Sequence, residues 1–249
     1  VHKSFGPKVI YDGLDLEILR GETITVMGAS GAGKSVMLKM LIGLLRADRG
    51  SIEFDGEELT RKSDQKMQEV RRRIAYLFQG AALFDSLTVG ENVAYGLREQ
   101  FWNTMTDKEI LARVAQSLGL VGLPGIEGMR PSDLSGGMKK RVGLARTLAL
   151  QPQVILYDEP TTGLDPINTA RINHLINTIK RTLNVTSIVV THDMGTAFSV
   201  SDRLAMIARG RILLVGTKEE FRRTEHVHVR DFIEGNAPQT EDVAALLSA

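Results

Sequence analysis

Three observations in this chain of 249 residues predict an α/β fold built on a parallel sheet. The run 22–27 (ETITVM) leads into Gly28-Ala29-Ser30-Gly31-Ala32-Gly33-Lys34-Ser35, and the apolar stretch 34–45 leaves it, so that strand, turn and helix follow in succession. Two later runs, 154–157 (VILY) and 187–191 (SIVVT), are continuously apolar or β-branched, the pattern of strands covered on both faces. Residues 166–183 between them read as a helix, which completes a strand–helix–strand unit.

Composition narrows the class. A hydrophobic content of 43% lets a chain of this length bury one substantial core with a smaller lobe attached. Lys+Arg 31 against Asp+Glu 30 leaves a net charge of +1, which offers no electrostatic argument for nucleic acid as a partner. With Cys 0, disulfides and thiolate metal sites are excluded, and a reducing compartment fits. No stretch approaches the roughly 18 consecutive apolar residues of a membrane span, and no secretory signal opens the chain. A soluble, cytoplasmic protein is expected, one that needs a partner for any work at a membrane.

Taken in order, Val1-His2-Lys3-Ser4-Phe5-Gly6 reads as a strand already in progress, so residues before Val1 are expected. Residues 14–18 (LDLEI) alternate at period two, a half-buried strand. Residues 51–54 form a short strand, and Asp55-Gly56 is a hairpin-type turn. The charged run 61–73 reads as a solvated helix face before the apolar strand 74–78. From 79 to about 150 strand signals vanish and helices are predicted at 89–99, 107–118 and 136–150, broken by Gly122-Leu123-Pro124-Gly125. Residues 204–208 and 211–215 flank Arg209-Gly210 as a final hairpin, and after Thr224 the pattern loosens into a tail.

Three segments carry chemistry. The first, G-x-x-x-x-G-K-S, is the phosphate-binding P-loop with Gly28, Gly33, Lys34 and Ser35 at its fixed positions. The backbone N–H groups around Ser30 and Gly31 and a helix N-terminus suit a polyphosphate, with Lys34 on the β- and γ-phosphates and Ser35 on Mg²⁺. The second is the strand 154–157 ending in Asp158-Glu159, where one acid holds Mg²⁺ and the next polarises the attacking water. The third, Leu134-Ser135-Gly136-Gly137-Met138, opens a helix and is either an anion cradle or an ordinary serine N-cap. One nucleotide site with two cradles suggests that the second serves a neighbouring molecule's nucleotide.

Together these motifs resemble the ATP-binding cassette (ABC) ATPase family, over about residues 1–224. The resemblance implies a P-loop NTPase of ABC type: a RecA-like core, an antiparallel β subdomain, an inserted α-helical subdomain at about 79–150, and a C-terminal tail at 225–249. It implies ATP and Mg²⁺ as ligands. It also implies that Gln79 is the Q-loop glutamine reaching Mg²⁺, that Gly163-Leu164-Asp165 is the D-loop at a dimer interface, and that His192 contacts the γ-phosphate. Phe5 occupies the place of the aromatic that stacks on adenine. Glu159, His192, Lys34 and Gln79 are then the catalytic set, with Ser35, Gln79 and Asp158 around the metal. Ser135, Gly136, Gly137 and Asp165 act in trans in a head-to-tail pair. Tyr157 is an unusual neighbour for Asp158, and His2, His174, His226 and His228 match no motif and read as surface residues.

Within that family, Ala81-Ala82-Leu83-Phe84 after Gln79, Met138 after LSGG, and Val229-Arg230-Asp231-Phe232-Ile233-Glu234-Gly235 resemble the ATPase of the phospholipid transporters linked to mammalian-cell-entry (MCE) proteins, the Mla system included. The implied partners are a second copy, a membrane permease docking near Gln79–Phe84, and an MCE-domain protein, at the cytoplasmic face of the inner membrane. Leu83 and Phe84 either dock the permease or staple the loop to its own lobe. Likewise Val229, Phe232 and Ile233 pack on this chain or cross to the second copy. The alternatives are another transported cargo, such as an amino acid or drug, a soluble ABC ATPase acting on ribosomes or DNA, and a non-hydrolysing switch. One P-loop, no long heptad run and the presence of both Glu159 and His192 weigh against the last two.

Overall fold

The computed structural model describes residues 1–236. Its centre is a six-stranded sheet in the order β10-β9-β3-β8-β7-β6, made of β3 (Thr23–Met27), β6 (Ile74–Leu77), β7 (Val154–Asp158), β8 (Thr186–Thr191), β9 (Arg203–Ala208) and β10 (Arg211–Thr217). All neighbours are parallel except β9 and β10, which form an antiparallel hairpin. Every residue of β3, β6, β7 and β8 is buried. Inside these runs the side chains still alternate. Tyr76, Leu156, Ile188 and Val190 join one core with Met37 and Leu38 of α1 (Lys34–Leu41) and Met67 and Val70 of α2 (Asp64–Arg73). Leu77, Ile155, Tyr157 and Val189 join another, against the helices on the opposite face. The continuous apolar runs thus encode two cores divided by one sheet.

The second core is shared with a helical lobe: α3 (Val89–Phe101), α4 (Asp107–Leu120) and α5 (Gly136–Ala149). Thr88 with Glu91 and Thr106 with Glu109 form capping boxes at the starts of α3 and α4. Each places a hydroxyl and a carboxylate on backbone N–H groups that the helix leaves unpaired. Beyond β7 come α6 (Pro166–Leu183), capped by Asp165, and α7 (Met194–Val200), capped by Asp193. Two small hairpins, β1 (His2–Phe5) with β2 (Lys8–Asp12) and β4 (Glu53–Phe54) with β5 (Glu57–Glu58), form the antiparallel part. Tyr11 of β2 is buried and donates its hydroxyl hydrogen to the Gly33 carbonyl, tying this part to the glycine-rich turn.

Four sequence expectations are corrected. Residues 14–18 form no strand: Leu14, Leu16 and Ile18 do turn inward and Asp15 and Glu17 outward, but no partner strand lies alongside. The helix after the P-loop stops at Leu41 rather than at 45, where Gly43 adopts a left-handed φ of 68° against Met67. The charged run 61–73 is not only solvated, since Met67 and Val70 of α2 are buried. After Thr224 the chain is not loose. A helix, α9 (Val227–Glu234), follows the short α8 (Lys218–Arg223) and packs with Val229 fully buried beside Met206 and Phe221. Gly235 closes α9 at a φ of 72°, the left-handed cap position that glycine fills without strain. The rest of the expected tail, 237–249, lies outside the described residues.

Gly28 is packed directly against the backbone of β9. A Cβ there would stand 2.5 Å from the Ile207 carbonyl oxygen and 2.8 Å from its Cγ2. Since the backbone of β9 cannot give way, Gly28→Ala is expected to destabilise the fold by about 1–3 kcal/mol and to weaken nucleotide binding with it. Thermal melting and nucleotide titration of the same preparation check both effects.

Candidate active site

The sheet brings its loops to one edge. Met27 pairs with Thr191, Val190 with Asp158, and Tyr157 with Leu77, so β3, β8, β7 and β6 end level with one another. The chain segments that leave them carry the P-loop, Thr191-His192, Asp158-Glu159 and Phe78-Gln79. Ligands of parallel α/β sheets bind at this carboxyl edge. A cleft of about 630 Å³ opens there, lined by Ser30, Gly31, Gly33, Lys34, Ser35, Gln79, Glu159 and His192 among others.

At the P-loop, Gly33 is the N-cap of α1 with a φ of 98°, and Gly31 sits at 78°. A Cβ on Gly33 would come within 2.7 Å of Ile10, so the loop has room for backbone only. The Lys34 ammonium is buried and donates to the carbonyls of Gly28 (2.8 Å) and Ala29 (3.1 Å), with Glu159 Oε1 at 3.5 Å. Its charge is held at the base of the cleft, where a phosphate can take over from the carboxylate as its partner.

Strand alternation separates the two acids. Asp158 faces the side of α1: its Oδ1 accepts from Ser35 Oγ at 2.7 Å and its Oδ2 from the Tyr76 hydroxyl at 2.7 Å. Burial and the neighbouring Asp158 carboxylate raise the Tyr76 pKa, so its hydroxyl stays a donor. The paired hydroxyl and carboxylate are hard oxygen ligands of the kind Mg²⁺ accepts, and their small number suits an ion that keeps waters and binds phosphate oxygens. Glu159 leaves the strand in a left-handed turn, φ 49°. Non-glycine residues rarely hold that conformation, and it is found disproportionately at working sites. Its carboxylate accepts from Thr162 Oγ1 and Thr191 Oγ1, both at 3.2 Å, and lies 3.0 Å from His192 Nδ1. Burial pushes the Glu159 pKa up, but the hydrogen bond and charge of His192 and the charge of Lys34 outweigh it and keep the group below the usual glutamate range. It is therefore the ionised, proton-accepting form at neutral pH.

Other expected residues lie apart from this cleft. Ser135 is the N-cap of α5, accepting from the Met138 N–H at 3.3 Å, and with Gly136 it is exposed to solvent rather than lining the cleft. Gly137 is buried against Asn168, and Asp165 caps α6 by accepting from the N–H groups of Ile167 and Asn168. Phe5 does not line the cleft; it is 45% exposed, with the Lys3 ammonium 5.1 Å from its ring centre. His2 is half-buried at 3.5 Å from Asp12, and the other three unassigned histidines are exposed. Sequence reasoning missed several neighbours of the site. Tyr76, Thr162 and Thr191 fix the acids, and Ile10, Val36 and Phe232 line the cleft. Tyr76 and Thr191 are visible as polar atoms inside apolar strands, three residues before Gln79 and one before His192. Phe232 arrives from α9, far along the chain, and no local signal places it there.

A family model described as "ABC transporter" matches residues 11–162, more than half of the chain. The chain belongs to the ABC transporter family. It is an ABC ATPase, and its fold agrees with solved cassettes. A dimeric ATP-binding cassette in a post-hydrolysis state, bound to ADP and Pi, superposes with a TM-score of 0.79 at 30% identity, covering 87% of this chain and 94% of that one. Among named relatives, the probable ribonucleotide transport ATP-binding protein mkl of Mycobacterium leprae is 42% identical over 94% of this chain and 67% of its own length. The intermembrane phospholipid transport system ATP-binding protein MlaF of Haemophilus influenzae is 40% identical over 93% of this chain and 87% of its own. For other mkl sequences the chain spans 64% of the relative's length.

Replacing Glu159 by Gln keeps the side chain's size and removes its ionised carboxylate. Glu159→Gln is expected to bind ATP with affinity close to that of the native ABC ATPase while kcat falls at least about 10²-fold. Phosphate release and a nucleotide-binding titration on the one preparation measure the two quantities separately.

Proposed function

We propose that this ABC ATPase hydrolyses ATP at a composite site between two copies of the chain and that hydrolysis powers phospholipid movement by a membrane transporter. The observation that carries the composite site is the placement of the second cradle. Ser135, Gly136 and Gly137 stand at the N-terminus of α5 outside the cleft formed by Lys34, Ser35 and Glu159, so within one chain they have no triphosphate to meet. A second copy arranged head to tail offers one, and a related solved cassette is dimeric.

In this reading Gly28, Ser30, Gly31 and Gly33 present backbone to the phosphates, and Lys34 moves from its carbonyl partners to the β- and γ-phosphate oxygens. Ser35, Asp158 and Gln79 would hold Mg²⁺, which would supply charge neutralisation on the triphosphate. Glu159 accepts a proton from the attacking water and His192, 58% exposed at the rim, faces the γ-phosphate. Phe5 stacks on adenine from the exposed hairpin β1–β2. The partner's Ser135 to Gly137 cradle closes over the γ-phosphate, with Asp165 at the dimer seam. ATP therefore favours the closed pair, and loss of the γ-phosphate releases it.

The cargo and the membrane partner rest on the relatives and on the loop after β6. MlaF is named for intermembrane phospholipid transport, and the Leu83-Phe84, Met138 and 229–235 segments of this chain resemble that subfamily. No helix among the described residues is long and apolar enough to cross a membrane, so attachment falls to a permease, with an MCE-domain protein in the same complex at the cytoplasmic face. The loop divides its two apolar side chains. Leu83 packs into the helical lobe's core, whereas Phe84 is 42% exposed, with its ring centre 4.7 Å from that of Tyr95 on α3. The partly exposed Phe84–Tyr95 pair supports the docking reading over the staple.

Purification of the tagged chain with its membrane partners from its own host, followed by mass spectrometry of protein and lipid, tests the transport reading. A polytopic permease, an MCE-domain protein and enriched phospholipid are expected. A ribonucleotide-binding partner in their place would move the cargo to that of the mkl name, and ribosomal or DNA-bound partners without a permease would overturn transport altogether.

Phe84→Ala separates docking from packing. Because the ring is 42% exposed and rests on Tyr95, itself at the surface, rather than in the lobe's core, the change is expected to alter stability by only about 0.5 kcal/mol and to abolish recovery of the permease. Loss of stability with recovery intact would assign Phe84 to the lobe instead.

A further inference from the structure

Lys140 is a buried cation that the chemistry above does not use. It lies in α5, five residues past the N-cap Ser135, and is 6% exposed. Its ammonium makes one hydrogen bond among the described residues, to the backbone oxygen of Glu159 at 3.2 Å. Burial disfavours its charge, and the nearby Glu159 carboxylate offsets that in part. An ammonium held by a single carbonyl is poor value for stability, since an apolar side chain of similar length would fill the same space without desolvation.

What Lys140 holds is the turn that aims the catalytic base. The Glu159 N–H donates to Val190 of β8 at 2.9 Å, and its carbonyl accepts from Lys140 and from the Thr162 N–H at 3.3 Å. The left-handed residue is thus pinned on one side by the sheet and on the other by α5. The same helix begins with the cradle assigned to the partner's nucleotide. Its start is packed hard against α6: a Cβ on Gly137 would stand 2.9 Å from Asn168 Oδ1, and Asn168 is bonded to Asp165. Five residues of helix span about 7.5 Å, a rigid strut from cradle to base.

We propose that Lys140 is a positioning residue linking the two ATP sites of the dimer: through it, engagement of the Ser135–Gly137 cradle by the partner's nucleotide sets the turn that carries this chain's own Glu159. The inference rests on the composite site proposed above. One chain's ATP then readies the other chain's base, and hydrolysis is cooperative in ATP.

The test is steady-state ATPase activity of the full-length chain against ATP concentration, with melting temperature, for the native protein, Lys140→Met and Lys140→Gln. Lys140→Met is expected to melt at or above the native temperature. Its kcat should fall about tenfold with KM changed less than about twofold, and its sigmoidal ATP dependence should become hyperbolic. Lys140→Gln keeps an N–H for the Glu159 carbonyl and is expected to recover most of kcat and the sigmoidal curve. A Lys140→Met protein with native kcat and cooperativity overturns the proposal. So does a variant that is insoluble, or whose activity loss only tracks a lowered melting temperature, because Lys140 is then structural. A native protein that neither dimerises nor hydrolyses ATP refutes the composite site instead, which separates the two failures.

Discussion

The site depends on two consecutive acids that must face different ways. Side chains of a strand alternate, so Asp158 at the end of β7 is committed to the α1 side of the sheet, where Ser35 and Tyr76 meet it. A further strand residue would point to the opposite core, among Ile155 and Tyr157, and bury a carboxylate in hydrocarbon. Glu159 avoids this by turning left-handed as it leaves the strand, a conformation that costs of the order of 1–3 kcal/mol. The surrounding bonds hold it there: Val190 on its N–H, Lys140 and Thr162 on its carbonyl, and two threonine hydroxyls and His192 around its carboxylate. With that turn in place, Asp158 facing Ser35 and Glu159 facing Lys34 and His192 stand side by side at the edge where the P-loop ends.

The level strand ends make the rest follow. Because β3, β8, β7 and β6 stop in register, their four loops share one rim although they are spread from residue 28 to residue 192. Lys34, Glu159 and His192 then need only short reaches to meet. Lys34 approaches Glu159 at 3.5 Å, and its ammonium is screened little at that depth. A phosphate entering the cleft can replace Glu159 as the anionic partner of Lys34.

The fold was legible where the chain's pattern is local. The glycines of the P-loop, the buried runs of β7 and β8 and the helix between them are fixed by neighbours within a few residues, so spacing reports them directly. Residues 14–18 show the limit of that reading. Their alternation correctly reports which side chains face inward, but a strand is defined by a hydrogen-bonded partner, which lies elsewhere in the chain and leaves no mark on the segment. The helix α9 was read as loose tail because its eight residues carry one buried anchor, Val229, whose cover of Met206 and Phe221 exists only after β9 and β10 have formed. The same reason hid Phe232 from the list of cleft residues. Phe5 is the reverse case: its sequence position marks it, yet the hairpin that bears it holds the ring outside the cleft of one chain.

The placement of α9 also bears on how the nucleotide edge communicates with the chain's end. Val229 shares a core with Ala197 of α7, against which Phe232 and Ile233 also pack, while His192 lies two residues before α7 begins. Asp193 joins the two by capping the helix at the Thr196 N–H. Through Asp193 and α7, His192 is thus connected to the core that supports α9, and Phe232 on α9 faces back into the same cleft. Packed interiors transmit small displacements rather than absorb them. The C-terminal helix is accordingly a wall of the cleft, held by the helix that follows His192, and not a loose appendage.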